Sequence, residues 1–353
     1  MSLHTALRSQ TIETGRLKTH FIACGASGGI PVIFVHGNLA SCRFFDETLL
    51  ALPDGYYGVA LDLRGFGESE AKPVDATRGL RDFSDDVRDL MEELGLASTP
   101  IHLAGWSMGG GVVMQYAIDH PQHVASLTLI APVSPFGFGA THGLDGQLNT
   151  DDAAGSGGGV ANPEFVKRLA ARDRGDEPNL SPRAVMNSYY FKPPFRVAPP
   201  VEDRLVDAIL LAAVGEDNYP GDMSTSPYWP GVAPGKRGVL NTMAPTYCNL
   251  SILAEIDPKP PILWVYGDSD QVVSDFSLFD LAALGQLGAV PGWPGADVCP
   301  PQLMIGQMRT LLDRYRANGG SVKEICLADC GHSPHIEKPD EFQHHLRQML
   351  AGE

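Results

Sequence analysis

The chain has 353 residues, 43% of them hydrophobic and 19% charged, so it can bury a large core and intrinsic disorder is excluded. Acidic residues number 42 against 26 basic ones, a net charge of −16; a field of that sign repels phosphate backbones and anionic lipid and argues against nucleic-acid or membrane partners. The longest apolar run, residues 208–214, is far short of the roughly 20 residues of a bilayer span. 

Residues 1–8 hold no apolar signal region, and six cysteines are too few for a disulfide framework, so a cytoplasmic location is expected. Residues 11–24 read as a β-hairpin turning near Gly15. The short apolar runs 32–36, 57–62 and 101–105 have the mark of buried strands. Leu80, Phe83, Val87, Leu90, Met91 and Leu94 recur every three or four residues and predict a helix. A further helix over about 108–119 leads to a strand at 126–130. This alternation predicts an α/β fold, a mostly parallel sheet flanked by helices.

The pattern breaks at Ala131. Residues 133–258 carry a Gly-rich stretch at 155–159 and many prolines, with one clear helix expected over about 201–214. The alternation then resumes: a strand at 261–266, a helix marked by Ile305, Met308, Leu311, Leu312 and Tyr315, a strand at 322–327, and a closing helix at 340–350. The expected organisation is one α/β core, residues 1–132 and 259–353, interrupted by a cap at 133–258, with a second, smaller lid insertion at 275–301.

Gly105-Trp106-Ser107-Met108-Gly109 matches G-x-S-x-G, which alone is a weak signal, and Gly25-Ala26-Ser27-Gly28-Gly29 is a second copy. Context separates them. Ser107 lies where a strand ends and a helix begins, the sharp turn that raises a hydroxyl above a sheet; Ser27 lies between a hairpin and a strand and reads as a loop residue. A serine hydroxyl needs a base, and the base an orienting acid. His332, just past the strand at 322–327, reaches the same sheet end as Ser107; His335 is the rival, read as a loop residue. The strand at 261–266 runs into Gly267-Asp268-Ser269-Asp270, where either aspartate can serve as acid.

Four signatures in order give the chain a family likeness: His36-Gly37-Asn38, Asp62-Leu63-Arg64-Gly65-Phe66-Gly67-Glu68-Ser69, Gly105 to Gly110, and Gly331-His332 followed by Glu337-Lys338-Pro339. The chain resembles the α/β-hydrolase superfamily, closest to its branch of small esterases, lactonases, cofactor-free haloperoxidases (perhydrolases) and C–C bond hydrolases. The resemblance covers the core; the cap matches no family. It implies Ser107 as nucleophile, Asp270 as acid, His332 as base, and the backbone N–H groups of Asn38 and Met108 as the oxyanion hole, with Leu39 as the alternative to Asn38. It implies no cofactor. The Asp62–Ser69 segment reads as structural, with Arg64 in ion pairing. Cys326, Cys330 and His332 do not make a metal site, because a strand holds Cys326 apart; both thiols are expected to be buried or in loops.

Aromatic residues crowd the two insertions, and most are expected to pack. A subset is expected to line an apolar pocket over Ser107: Tyr190, Trp229 and Trp293 from the insertions, with Leu39, Phe44 and Trp106 from the core. The expected activity is cofactor-independent serine hydrolysis of a carboxylic ester or lactone through an acyl-enzyme, on a small apolar ester, lactone or ketone. C–C hydrolysis of a diketone-like substrate and slow-turnover ligand sensing are the alternatives. The oligomeric state stays open, a homodimer included.

Overall fold

A computed structural model describes residues 7–352. Met1–Ala6, most of the N-terminal stretch considered above, and Glu353 lie outside the described residues.

Eight strands form one sheet: β1 (Arg8–Glu13), β2 (Lys18–Cys24), β3 (Ile30–Val35), β4 (Tyr56–Leu61), β5 (Ile101–Trp106), β6 (Val124–Ile130), β7 (Ile262–Gly267) and β8 (Val322–Leu327). Their spatial order is β1-β2-β4-β3-β5-β6-β7-β8. The N-terminal hairpin β1–β2 joins antiparallel to β4, and all later pairings are parallel. Parallel strands need covering on both faces, which explains why β3 and β7 read as unbroken apolar runs and β5 as one broken only by His102. The cover includes α1 (Arg81–Glu93), α2 (Met108–Asp119), α5 (Met304–Ala317) and α6 (Pro339–Ala351). Leu90, Met91, Phe83 and Val87 of α1 are buried, as their spacing requires.

α2 is buried on nearly every side. Glycines make that possible: a Cβ on Gly109 would come within 2.2 Å of the Val35 carbonyl oxygen, and one on Gly110 within 2.5 Å of Pro132. The Asp62 loop is structural, as expected. Asp62 accepts from His20 Nδ1 (2.7 Å), Cys42 N (2.7 Å) and Glu68 N (2.9 Å). Arg64 binds both oxygens of buried Asp86, at 2.6 Å each. Removing one partner of such a pair costs about 3–5 kcal/mol, because the other charge is left uncompensated.

Between β6 and β7 the chain makes its long excursion. It holds α3 (Pro163–Ala170), a helical turn (Pro182–Val185) running into a π-helical turn (Met186–Tyr190), α4 (Pro199–Leu210) and three two-stranded ribbons. Two sequence expectations are corrected here. The helix expected to reach Val214 ends at Leu210, because Ala213 N donates to Gly65 O (2.8 Å) and Tyr219 N to Ala213 O (3.1 Å), which pulls the chain out of the spiral. α3 was not anticipated; only Phe165 and Leu169 are buried in it, too few for a period, although Asn162 caps it and Pro163 opens it. The smaller insertion carries a short helix (Leu281–Gln286).

A buried amide network joins the start of the long insertion to the chain just past the short one and to α5. Gln302 accepts from Gly139 N (2.6 Å) and donates to Gly137 O (3.2 Å) and to Gln307 Oε1 (2.8 Å). Gln307 in turn takes the Ser134 hydroxyl (2.6 Å) and donates to Gly143 O (3.0 Å). All six cysteines are free; Cys330 is buried, but Cys326 is exposed on edge strand β8 rather than buried or in a loop. No described helix is long and apolar enough to cross a membrane.

Candidate active site

The carboxyl ends of β3, β5, β7 and β8 converge on one edge of the sheet, where the side chains singled out above meet. Ser107 follows β5 directly and has φ 57°, ψ −123°. That backbone is strained for a non-glycine residue and must be held from outside. Ser107 N donates to Ile130 O (2.9 Å), while its carbonyl accepts from Gly110 N (2.9 Å) and Val133 N (3.0 Å). The flanking glycines are required by contact: a Cβ on Gly105 would lie 2.2 Å from the Gly109 carbonyl oxygen. Ser27, by contrast, sits in the turn before β3.

His332 is five residues past β8, and its Nδ1 is 2.7 Å from Asp270 Oδ2, both side chains 2% exposed. The other Asp270 oxygen accepts from Val272 N (2.7 Å) and Val273 N (3.0 Å), so the carboxylate cannot rotate away. Asp268 is exposed and accepts from the Ser269 hydroxyl. The structure thus brings Asp270, and not Asp268, to the histidine. Trp106 Nε1 donates to His332 O (2.7 Å), which ties the base-bearing loop to the serine turn. Glu337 gathers the same loop: its carboxylate accepts from Gly331 N (3.0 Å), Ser333 N (3.2 Å) and, from the long insertion, Lys192 N (2.7 Å). Burial raises the Glu337 pKa. Its fixed place after Gly331-His332 was visible in the sequence; its role as a loop clasp was not.

His335, the rival, is buried behind the site. It stacks on Phe45 at 4.9 Å and meets the Trp106 ring edge-on at 5.2 Å, and neither ring nitrogen has a hydrogen-bond partner. Burial pushes its pKa down to about 3. It sits in a short helical turn (Pro334–Glu337), not in an open loop.

The loop after β3 crosses in front of the serine. A Cβ on Gly37 would lie 2.8 Å from Ser107 Cβ, so only glycine allows this approach. His36 Nδ1–H donates to Gly37 O (2.7 Å) and its Nε2 accepts from Leu63 N (3.0 Å), which fixes the tautomer; burial lowers its pKa. Leu39 takes a left-handed backbone, φ 50°. Among the described residues, the N–H groups of Asn38 and Leu39 have no acceptor. Met108 N–H, first in α2, has no intrahelical acceptor and lies at the positive end of the helix.

Above these groups lies a cavity of about 310 Å³. Asn38, Leu39, Trp106, Ser107, Met108 and His332 form its floor. Val160, Phe165, Tyr189, Tyr190 and Tyr219 come from the long insertion, and Leu278, Phe279 and Leu284 from the short one. Tyr190 lies where it was expected. Three other expectations fail. Phe44 stands behind Trp106, stacked on it at 5.2 Å, outside the cavity wall. Trp229 donates to Pro291 O (2.8 Å), which braces the long insertion on the short one, and Trp293 to Cys299 O (2.9 Å) within the short one; neither indole lines the cavity.

A metal is not what these residues suit. The one candidate donor group among the described residues is His20, Cys42 and Asp62, within 4.8 Å of one another. Both Asp62 oxygens are already accepting protein hydrogen bonds, and burial raises the Cys42 thiol pKa, so the group reads as a self-satisfied hydrogen-bond cluster.

Residues 30–150 match the family model described as α/β hydrolase fold. The chain has the α/β-hydrolase fold. The α/β-hydrolase core is 39% identical over 112 residues to a dihydrolipoyllysine-residue acetyltransferase component of an acetoin cleaving system from Cupriavidus necator, covering 32% of this chain and 28% of that one. It is 29% identical over 119 residues to carboxylesterase YbfK of Bacillus subtilis, covering 34% and 39%. The match therefore spans well under half of either relative. The solved structure of the Bacillus enzyme superposes with a TM-score of 0.60 at 16% identity, over 98% of this chain and 92% of that one, a likeness of fold.

Proposed function

We propose that the chain is a cofactor-independent serine hydrolase that cleaves a compact, largely apolar carboxylic ester or lactone through an acyl-enzyme. One observation carries the reading: a serine on a strained turn, at the floor of a roofed apolar cavity that also holds a histidine locked to a buried aspartate. Ser107 Oγ attacks the carbonyl carbon as its proton passes to His332 Nε2. Asp270 holds Nδ1–H and stabilises the imidazolium. The oxyanion is met by the N–H of Met108 and by that of Asn38, with Leu39 as the neighbouring donor. The alkoxide leaves with the proton from His332, and water activated by the same nitrogen releases the acid and restores Ser107. No hydrogen bond joins Ser107 to His332 in the free protein, and such contacts often close only with substrate bound.

The roof supports the substrate class. Its lining is mainly aliphatic and aromatic, with Asn162 and Asn179 among its polar side chains and no aspartate, glutamate, lysine or arginine, which favours neutral over ionic acyl groups. Among the described residues the Tyr219 hydroxyl has no hydrogen-bond partner, and it offers one polar contact to such a ligand. Both insertions act in this reading as a cap over the nucleophile. The test is labelling by a fluorophosphonate probe together with turnover of p-nitrophenyl acetate and butyrate. Labelling that is lost in Ser107→Ala, with turnover, is expected; no labelling and no turnover refutes the proposal.

A further inference from the structure

The oxyanion loop is held from outside the core. The Tyr190 hydroxyl reaches Asn38 O at 3.2 Å and Leu39 O at 3.3 Å. Burial raises the phenol pKa, so the group stays protonated and donates. Its ring stands edge-on to Trp106 at 5.6 Å and to His332 at 6.3 Å. Tyr190 ends the π-helical turn Met186–Tyr190, and Lys192 two residues on is fixed to Glu337. π-turns within helical segments recur at functional sites.

Peptide planarity gives this contact its consequence. A carbonyl and the following N–H share one rigid plane and point opposite ways, so holding the carbonyl aims the N–H. His36 holds Gly37 O and thereby aims Asn38 N–H. Tyr190 shares its one hydroxyl proton between Asn38 O and Leu39 O; the first contact aims Leu39 N–H, the donor beside Asn38, and the two together fix the planes on either side of the left-handed Leu39. A non-glycine residue in that region persists only where its surroundings impose it. Without the hydroxyl, the loop is free to relax and its donors lose their aim.

We infer that Tyr190 is a positioning residue for the oxyanion hole, through which the long insertion, and not the core alone, sets transition-state stabilisation. This rests on the hydrolase reading above. Tyr190→Phe keeps the ring and removes only the hydroxyl. With p-nitrophenyl butyrate, kcat is expected to fall about 10-fold or more, less than the roughly 10²–10³ for removing an oxyanion donor outright because the donor is misaimed and not lost, with KM within about 3-fold. The inhibition constant of a boronic acid, whose serine adduct mimics the tetrahedral intermediate, is expected to rise by the same factor. Tyr190→Leu, which also removes the ring, is expected to lose at least as much kcat. A Tyr190→Phe kcat within 2-fold of wild type overturns the inference, as does a raised KM at unchanged kcat, which would make Tyr190 a substrate contact. Loss in Tyr190→Leu alone assigns the effect to ring packing and overturns it too. An unaltered chain that neither labels nor turns over esters fails the hydrolase reading instead, before Tyr190 is tested.

Discussion

Asp270→Asn perturbs one hydrogen bond whose geometry dictates the outcome. Asp270 Oδ1 faces two backbone donors, Val272 N and Val273 N, and Oδ2 faces His332 Nδ1 at 2.7 Å. An asparagine therefore has one satisfactory orientation, its carbonyl oxygen on the two N–H groups and its NH₂ toward the imidazole. The amide then requires Nδ1 to accept, so the imidazole proton moves to Nε2, the atom that must receive the Ser107 proton. Loss of kcat by about 10³–10⁴ is expected, about 4–5.5 kcal/mol of activation free energy. Folding should suffer far less, about 1–3 kcal/mol, because a charge-assisted bond is weakened with no donor left unpaired. The assay is single-turnover acylation by p-nitrophenyl butyrate with thermal melting in parallel, and Asp268→Asn as the control, expected within a few-fold of wild type. If Asp268→Asn costs more than Asp270→Asn, the orientation argument is wrong.

Three further expectations follow from the same geometry. Ser107→Ala should lower kcat by about 10³ or more while Ser27→Ala changes it only a few-fold; equal losses in two folded variants would falsify the elbow assignment. Replacing residues 276–298 by a short Gly/Ser linker removes Leu278, Phe279, Leu281 and Leu284 from the cavity wall, so kcat/KM for a bulky ester should rise relative to a small one; an unchanged ratio in folded protein sinks the lid role. His335 has a folded pKa of about 3 against 6.5 in the unfolded chain, so between those values the unfolded state binds the extra proton. Its contribution is complete above pH 6.5 and is lost as pH falls toward 3, about 2 kcal/mol gone by pH 5. Wild type should lose more Tm between pH 7 and pH 5 than His335→Leu does, and parallel losses would refute this.

What was legible in the sequence is what local pattern controls. The strands announce themselves because parallel strands are buried on both faces, and Ser107 because its turn needs glycines at fixed offsets. His332 follows from a strand end, but strand ends alone leave Asp268 and Asp270 open; the family likeness singles out Asp270, and it is Asp270 that lies 2.7 Å from the histidine. The insertions obey no period. Trp229 and Trp293 look like pocket residues by composition, yet their direction is set by single indole hydrogen bonds to Pro291 and Cys299. Phe44 is one ring too deep. The Tyr190 contact spans 152 residues, and only the folded chain shows which carbonyls that hydroxyl meets.

The buried amides of Gln302 and Gln307 have a consequence for anyone redesigning selectivity. They join the beginning of the long excursion to the chain just past the short one, Gln302 at its exit and Gln307 in α5, with their polar atoms out of water's reach. Transplanting either segment alone into another scaffold strands those donors and acceptors at about 1–3 kcal/mol apiece. The unit of exchange therefore has to run through both glutamines: chimeras that take the long excursion together with residues 275–307 keep the seam intact, and those that take either stretch without Gln302 and Gln307 break it.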